Sequence, residues 1–377
     1  MKTAVEVIRA LENAGFEAYM VGGAVRDLLL GKAPDDFDVA TNASPVEVKQ
    51  VFSKTIDTGI AHGTVLVRLN GEGIEVTTFR TDGTYTDNRR PDSVEFVHSL
   101  EEDLKRRDFT INAMAMAEDF RIIDPFGGKE DLESRVIRAV GNPDQRFQED
   151  ALRMLRAVRF SSQLDFSIEA GTLASIKRQA KLIRTIAVER IKNEIDKIFL
   201  TAHAKRSMDY LASSLLTEHL PAGNLFKIDW TEFSPQADAL YGWAYLLYWQ
   251  EKTAAEVSLY KFSNEEKRIL KNTLAAARRE QWDEWTIYSY SEKELTMAAA
   301  LLKKEMAIAE QKRRLPIRSK TDMAASGNDL MQWSGTKQGP WLKEWIEKME
   351  RQIVYGLLQN DKEKIKDWFI NEYYRHA

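Results

Sequence analysis

The chain has 377 residues, of which 44% are hydrophobic and 30% charged, a composition typical of globular proteins with two or three domains. It has no cysteine, five histidines and a net charge of −4, which excludes disulfides and thiolate metal sites and argues weakly against a nucleic-acid partner. The charged first residues predict no signal peptide, and the longest apolar run, residues 239–249, is shorter than the ~20 residues of a membrane helix. We therefore expect a soluble, cytoplasmic protein without membrane association.

The first 140 residues alternate predicted helices and strands. Apolar periodicity predicts helices over residues 4–14, 24–30 and 45–52 and from residue 99 onward, and strands over residues 17–21, 37–40, 64–69 and 74–80. Ser44 and Glu47 form a capping-box signature at the start of the third helix, and residues 70–73 predict a hairpin turn. The front of the chain is therefore predicted to be an α/β domain.

From about residue 130 onward, helical periodicity dominates and no sustained alternating strand is predicted. Helices are expected over residues 148–163, 187–200, 203–217, 236–250, 264–280, 292–312 and 341–357. The charge also changes along the chain: residues 1–140 hold 17 basic and 25 acidic residues, whereas residues 141–377 hold 37 and 33. An acidic part that holds metal ions beside a basic part that holds a polyanion shows this asymmetry, but so does an ordinary two-domain protein.

A Gly22-Gly23 pair lies where a predicted strand turns into a helix. Two glycines allow a ligand to approach the backbone, and the free N–H groups of the new helix favour phosphate. Arg26 adds a guanidinium suited to phosphate oxygens. A glycine pair alone is usually just a turn, so its weight depends on the residues that follow.

Two carboxylates, Asp36 and Asp38, stand two positions apart in a predicted strand. Both would point to the same face, about 6.5–7 Å apart, while Phe37 and Val39 point into the core. Carboxylates in this arrangement can bind Mg²⁺, which activates an attacking hydroxyl and neutralises a leaving pyrophosphate. The alternative is a solvated turn, but the phosphate-type turn upstream favours the metal.

Two further polar residues lie close in sequence to this pair of carboxylates. Glu75, in the strand over residues 74–80, is either a third acidic group of the site or a solvent-facing strand residue. His62 is expected to be structural, because no second histidine stands near it.

Charged side chains recur at every third position of the helix predicted over residues 148–163: Asp150, Arg153, Arg156 and Arg159. They form a slanting stripe opposite the apolar face, with Arg159 about half a turn from Asp150. A solvated helix face and a weak surface ion pair would explain the pattern. Three arginines without an intervening lysine or glutamate favour recognition of bases and phosphates, because the guanidinium is a planar fork of donors.

An aspartate and an arginine together could also select a nucleobase. Cytosine and adenine each present an amino donor beside a ring-nitrogen acceptor, which Asp150 and Arg153 would complement. Uracil and guanine present the reversed pattern and would leave both side chains unpaired. One such pair would admit C and A and reject U and G.

The motifs as a set resemble the class II tRNA nucleotidyltransferases, the CCA-adding enzymes, most closely the type of Bacillus-like bacteria. The resemblance rests on residues 22–27, 36–41, 58–64, 106–113, 124–128, 149–160 and 189–192, and farther on 315–320 and 327–330. It implies an α/β nucleotidyltransferase head with a small, mostly antiparallel or mixed sheet, followed by all-α domains. The implied domains are a catalytic head (1–138), a nucleotide-selecting neck (139–200), a body (201–290) and a tRNA-binding tail (291–377).

The resemblance also implies roles for the residues named above. Asp36 and Asp38 would be the catalytic pair that binds Mg²⁺, and Gly23 and Arg26 would serve the triphosphate. The ribose and phosphates would be surrounded by Arg107, Asp108 and Asn112. The amino-acid template would be Asp150 and Arg153, supported by Arg156 and Arg159.

The implied reaction is attack by the tRNA 3′ hydroxyl on the α-phosphate of CTP, twice, and then of ATP. The implied partners are CTP, ATP, and the acceptor end and elbow of tRNA; the oligomeric state stays open, with a homodimer among the alternatives. CC-adding members lack a head loop that is complete here at residues 82–92, whereas no feature excludes an A-adding enzyme. Bacterial poly(A) polymerases differ around residues 58–64, and intact Asp36, Asp38 and Arg26 argue against a non-catalytic RNA-binding protein.

Overall fold

The computed structural model describes residues 1–59, 63–82 and 94–375. His62 and most of the loop at residues 82–92 lie outside these ranges. The chain divides into two compact units, Met1–Ala239 with Leu259–Lys261 and Leu240–Ser258 with Phe262–Ala377. No helix in the described ranges has the length and apolar character that a membrane span requires.

The strands of the described residues lie in the first unit. In chain order they are β1 (Ala18–Val21), β2 (Asp38–Thr41), β3 (Thr55–Gly59), β4 (Thr64–Leu69), β5 (Glu72–Thr78), β6 (Arg80–Asp82), β7 (Val94–Phe96), β8 (Ala115–Met116), β9 (Ile122–Ile123), β10 (Val136–Ile137) and β11 (Ser167–Ile168). The predicted strands correspond to β1, β2, β4 and β5, and the predicted hairpin joins β4 to β5.

Seven of the described strands form one mixed sheet in the order β3-β4-β5-β2-β1-β8-β9. Neighbouring strands are antiparallel except β2 and β5, which run parallel with Asp38 opposite Glu75. Buried apolar side chains, among them Val21 and Phe79, pack on this sheet. This confirms the predicted α/β front with a mostly antiparallel, mixed sheet.

The helices of the first unit include those of the predicted head and continue beyond it. They are α1 (Lys2–Asn13), α2 (Gly23–Leu29), α3 (Pro45–Val51), α4 (Leu100–Lys105), α5 (Gly128–Glu133), α6 (Pro143–Glu149), α7 (Leu152–Leu164), α8 (Ala170–Gln179), α9 (Val188–Phe199) and α10 (Ala204–Ser213). The predicted capping box is present at α3: Glu47 N–H donates to Ser44 Oγ, and Ser44 N–H donates to the Glu47 carboxylate.

The helix predicted over residues 148–163 is in fact two helices, α6 and α7, which break at Asp150 and Ala151. Asp150 has an extended backbone, with φ −139° and ψ 103°. Its carboxylate accepts a hydrogen bond from Leu152 N–H at 3.0 Å and so satisfies a free donor at the start of α7. Asp150 therefore does not belong to the helical stripe of Arg153, Arg156 and Arg159.

The second unit is helical throughout its described elements. They are α11 (Leu240–Trp249), α12 (Asn264–Ala277), α13 (Glu284–Ser289), α14 (Glu292–Leu301), α15 (Ile308–Arg314), α16 (Gly327–Ser334), α17 (Pro340–Val354) and α18 (Lys362–Arg375). The single helix predicted over residues 292–312 is divided into α14 and α15, because the chain turns at Lys303, which has φ 51°. Met349, Ile353 and Phe369 are fully buried in the core that α17 and α18 contribute to this unit.

Candidate active site

An open cleft with a volume of about 520 Å³ lies in the first unit. Among the described residues, seven arginines and three aspartates line it, so its charge favours a polyanionic ligand. Most of the residues singled out in the sequence line this cleft: Gly23, Arg26, Asp38, Arg107, Asp108, Asn112, Asp150, Arg153, Arg156 and Arg159.

The Gly22-Gly23 turn connects β1 to α2 at one end of the cleft. Gly22 has φ +74°, which non-glycine residues rarely adopt. A Cβ atom at Gly22 would lie 2.9 Å from Nη1 of Arg107. The backbone conformation therefore favours glycine here, and a larger residue would also have to displace the Arg107 guanidinium.

The carboxylates of Asp36 and Asp38 lie at the start of β2. The strand begins at Asp38, so Asp36 lies before it and not within it. Phe37 was predicted to point into the core but is only half-buried, and the residues after Asp38 are buried without alternation. Burial raises the pKa of Asp38, the carboxylates of Glu75 and Asp36 raise it further, and Arg107 opposes them. Glu75, from the neighbouring parallel strand, and Asp36 are thus both close enough to repel the Asp38 carboxylate.

The chemistry of these carboxylates would suit Mg²⁺ better than a cation that needs a complete set of protein ligands. No group of three or more His, Cys, Asp or Glu side chains among the described residues is arranged as a complete metal cage. Mg²⁺ usually takes one or two protein carboxylates and completes its shell with water and substrate phosphates. Burial and the neighbouring carboxylates both raise the pKa of Asp38, and a cation bound beside it would offset this by favouring the ionised form.

A chain of polar contacts crosses the cleft from α2 to α7. Arg26 donates to the Asp27 carboxylate at 2.9 Å and, through Nη1, to Asn112 Oδ1 at 2.8 Å. Asn112 Nδ2 donates to Asp108 Oδ1 at 3.1 Å, and Arg156 Nε donates to Asp108 Oδ2 at 2.7 Å. Each side chain is therefore held in one orientation before a ligand arrives.

Asp108 is the central carboxylate of this chain and is well shielded from water. Burial alone would raise its pKa, but the Arg156 guanidinium and the Asn112 hydrogen bond lower it to about 2. Asp108 is consequently ionised throughout the physiological pH range and acts as a fixed acceptor.

Asp150 is paired with Arg190, a residue of the motif at 189–192 for which no role was predicted. Arg190, on α9, donates through Nη2 to Asp150 Oδ2 at 2.8 Å and through Nη1 to Oδ1 at 3.5 Å. Arg153 instead donates to the Glu149 carboxylate at 2.5 Å. The alternative of a surface ion pair between Asp150 and Arg153 is therefore excluded, and both side chains line the same cleft.

Arg153 is held largely by main-chain acceptors. Its Nη1 donates to the carbonyl of Arg146 at 3.1 Å, and its Nη2 donates to the carbonyl of Arg106 at 2.8 Å. The residue is 8% exposed, which excludes the solvated helix face considered for this stripe.

Arg159 is buried at the end of the cleft, with 7% of its surface exposed. Its Nε donates to Glu194 Oε2 at 2.6 Å, and its Nη1 donates to Gln163. Burial lowers the pKa of Arg159, and the nearby Arg156 guanidinium lowers it further, while Glu194 opposes both effects. The helical stripe thus ends in a largely desolvated ion pair.

A buried carboxylate on α4 orients two further arginines of the cleft. Asp103, which is 1% exposed, accepts from Arg106 Nη2 at 2.7 Å through Oδ1 and from Arg107 Nη2 at 3.2 Å through Oδ2. Burial raises the pKa of Asp103, but the two guanidiniums outweigh it and hold the pKa below its usual range.

Comparison with known families divides the chain into three matched segments. Residues 18–138 match the family described as "Poly A polymerase head domain", and residues 165–224 match "Probable RNA and SrmB- binding site of polymerase A". Residues 237–369 match "tRNA nucleotidyltransferase domain 2 putative". The cleft residues from Gly22 to Asn112 lie within the first of these segments.

Relatives of similar length match nearly the whole chain. The CCA-adding enzyme of Listeria innocua is 41% identical, and the alignment covers 97% of each chain. The CCA-adding enzyme of Geobacillus thermodenitrificans is 43% identical, with 97% of this chain and 96% of that protein covered. The chain belongs to the CCA-adding enzyme family. The structure of the Bacillus stearothermophilus CCA-adding enzyme in complex with CTP has a TM-score of 0.90 and 38% identity, over 100% of this chain and 98% of that one.

Several cleft residues of this family member were not selected from the sequence. Arg106, Phe160, Gln163 and Arg190 line the cleft, and Glu194 is the buried partner of Arg159. Arg190 and Glu194 stand four positions apart on α9 and therefore share a helix face. This spacing is the one feature of the sequence that could have suggested that they act at the same site. Their partners are 35 and 40 residues away in sequence, so helical spacing alone could not identify them.

Proposed function

We propose that this chain adds C, C and A to the 3′ end of tRNA from CTP and ATP, releasing pyrophosphate at each step. The observation that carries the proposal is the cleft, which is lined by Asp38 of the sheet and by Arg153, Arg156 and Arg159 of α7. Transfer of a nucleotide needs few covalent steps from the protein, so a site of this kind works by positioning and charge stabilisation.

The phosphate half of the site would be formed by residues around the Gly22-Gly23 turn. The N-terminus of α2 offers free N–H groups to phosphate oxygens, and Arg26 and Arg107 flank it. Asp108 and Asn112 would contact the ribose and orient the arginines that meet the phosphates. The remaining positive charge would come from Arg156 and Arg159.

The base half of the site would be formed by Asp150 and Arg153. Asp150 would accept from the amino group of cytosine or adenine while Arg190 holds its carboxylate. A guanidinium has five N–H donors, and the contacts of Arg153 to described residues use three of them. The others can donate to the ring nitrogen of the base.

Mg²⁺ would be bound by Asp36 and Asp38, with Glu75 as the neighbouring acid. When bound there, it would activate the tRNA hydroxyl and neutralise the leaving pyrophosphate. The protein's own contribution at this end is to hold the carboxylates at the start of β2 and to place Arg107 beside them.

The division into a head (1–138), neck (139–200), body (201–290) and tail (291–377) remains our proposal for the domains, with the helical rear binding tRNA. Its first boundary coincides with the end of the segment that matches a head family, at residue 138. We also propose a cytoplasmic location, where tRNA is processed, and we keep a homodimer as an outcome to be tested by the mass in solution.

The decisive experiment uses tRNA transcripts that end at the discriminator base, at C and at CC. Each is incubated with Mg²⁺ and CTP, ATP or both, and the 3′ ends are sequenced. We expect all three transcripts to become CCA and growth to stop there. Growth from the CC end alone would identify an A-adding enzyme, and termination at CC would identify a CC-adding one.

Two other outcomes would reject nucleotide-specific addition to tRNA. A long A tail would identify a poly(A) polymerase, and no growth with all three transcripts would identify a non-catalytic RNA-binding protein. A filter-binding measurement with the same tRNA separates the last case from an inactive preparation.

A further inference from the structure

One aromatic ring lies among three arginines of the cleft. The guanidinium carbon of Arg159 is 4.1 Å from the centroid of the Phe160 ring, that of Arg26 is 5.2 Å away, and that of Arg156 is 5.3 Å away. All three distances are within the roughly 6 Å at which a cation is attracted by the electrons of an aromatic face. Phe160 itself is 4% exposed and lines the cleft.

Three guanidiniums around one ring repel one another unless something compensates. Each is paired with a carboxylate on its own side: Arg26 with Asp27, Arg156 with Asp108 and Arg159 with Glu194. These carboxylates belong to α2, to the segment after α4 and to α9, and each forms an ion pair with one of the three arginines. The Phe160 ring, by contrast, lies within cation–π distance of all three and so attracts them toward a common centre.

We propose that Phe160 is a positioning residue that holds Arg26, Arg156 and Arg159 together, and thereby sets the affinity of the site for the triphosphate of its nucleotide. This inference rests on the proposed function of the cleft as the binding site of CTP and ATP. Phe160 touches the arginines and need not contact the nucleotide.

The proposal requires an aromatic ring and not simply an apolar side chain. Leucine would fill much of the same space but has no negative face, so the guanidiniums would lose the attraction that orients them. The loss would affect CTP and ATP equally, because both carry the same triphosphate. The loss would leave the choice of base unchanged, because the arginines at the ring are Arg26, Arg156 and Arg159. The proposed base-reading residues, Asp150 and Arg153, are not among them.

Fluorination of the ring tests this directly, because each fluorine weakens the negative face while the shape is nearly kept. Phe160 is replaced in the full-length chain by 4-fluoro-, 3,5-difluoro- and 3,4,5-trifluorophenylalanine, and the Kd of CTP and ATP is measured with Mg²⁺ present. We expect a stepwise increase that reaches about tenfold for the trifluoro ring, equal for both nucleotides. The Phe160→Leu variant should bind CTP and ATP more weakly still. The Kd of tRNA should stay constant in all these variants.

Phe147 supplies the matched control, since it is a fully buried ring of the same unit that does not line the cleft. The same fluorinated residues at position 147 should leave the Kd of CTP unchanged. If the wild-type chain binds CTP but the Kd of CTP stays constant or decreases along the Phe160 series, the role of Phe160 is overturned and the proposed function stands. Failure of the wild-type chain to bind CTP or ATP would overturn the proposed function as well.

Discussion

The carboxylate of Asp150 is bound by the guanidinium of Arg190, with 2.8 Å between Oδ2 and Nη2, although the two residues are 40 positions apart. Asp150 lies in the break between α6 and α7, and Arg190 lies in the first turns of α9. The carboxylate that we propose to read the base is therefore oriented by a third helix.

Arg190→Met should lower kcat/KM for CTP and ATP by about tenfold or more, because a charge-assisted hydrogen bond to a carboxylate contributes about 1.5–3 kcal/mol. Arg190→Lys should recover part of the loss, since it restores the charge but not the two-point contact. Steady-state kinetics with each nucleotide checks this.

Arg178→Met is the matched control for Arg190→Met. Arg178 also binds an aspartate, Asp144, at 2.9 Å, but its side chain is 60% exposed and lies outside the cleft. Surface pairs of this kind contribute little, so the kinetics should match the wild type. Equal losses in both variants would mean that Arg190 has no specific role.

Asp150→Ala should weaken the exclusion of UTP and GTP while nucleotide transfer continues. Without the carboxylate, the amino group of C or A loses its acceptor, and the site no longer penalises the reversed pattern of U and G. The measurement is the ratio of kcat/KM for CTP to that for UTP on the same tRNA. An unchanged ratio would reject the template.

Asp38→Ala should abolish nucleotide transfer and leave tRNA binding nearly intact, because it removes a proposed Mg²⁺ ligand at the start of β2. Asp35→Ala removes an exposed carboxylate three residues earlier and should keep wild-type activity. The two variants are compared by 3′-end labelling and by filter binding. Full activity of Asp38→Ala would exclude Asp38 from the metal site.

Gly22→Ala should weaken binding of both CTP and ATP and lower the free energy of unfolding by about 1 kcal/mol or more. The backbone here has φ +74°, which alanine adopts only at a cost, and the new Cβ would displace Arg107 Nη1, which lies 2.9 Å from its position. Gly31→Ala has the same backbone penalty, with φ +69°, but no atom within 4 Å. Calorimetric titration with CTP should therefore show weaker binding for Gly22→Ala and wild-type binding for Gly31→Ala.

The stability that Asp108 contributes should depend on pH in acid. Its pKa is about 2 in the folded protein and near 3.9 in an unfolded chain, so its contribution is complete above about pH 4 and is lost as the pH falls through 2. Over that range the difference in free energy of unfolding between the wild type and Asp108→Asn should shrink by about 2–3 kcal/mol.

Urea unfolding of both chains at pH 6, 4 and 2.5, followed by circular dichroism, checks this expectation. Asp119→Asn is the control, because Asp119 is 68% exposed in its pair with Arg121. Its free energy of unfolding should stay close to that of the wild type at each pH. A wild-type advantage over Asp108→Asn that is constant with pH would mean that the carboxylate is not preferentially ionised in the fold.

The broad architecture was predictable because helical and strand periodicities are local properties of the sequence. The break at Asp150 was not, because buried residues continue through it: Phe147, Ala151 and Leu152 are all in the core. Periodicity therefore reads one helix where the chain has two. Similarly, β8 and β9 have two residues each, too few to alternate.

Most residues of the cleft were predictable, because a glycine pair, closely spaced carboxylates and repeated arginines each indicate binding of phosphate or metal. Their partners were not, because pairing across helices depends on packing and not on spacing. Asp150 and Arg153 were predicted to act together on a base, but nothing in their spacing indicates that the packing of α9 brings Arg190 to the Asp150 carboxylate. Phe160 went unselected because a buried aromatic residue is usually core.

The carbonyl acceptors of Arg153 have a consequence for how this site can change over time. A side-chain partner disappears when its codon changes, whereas the peptide oxygens of Arg106 and Arg146 persist whatever residues occupy those positions. Substitution at either position leaves these two contacts of Arg153 available as long as the backbone path is kept. Insertions or deletions that shift this path would break these two contacts, whereas point substitutions at residues 106 and 146 would keep them.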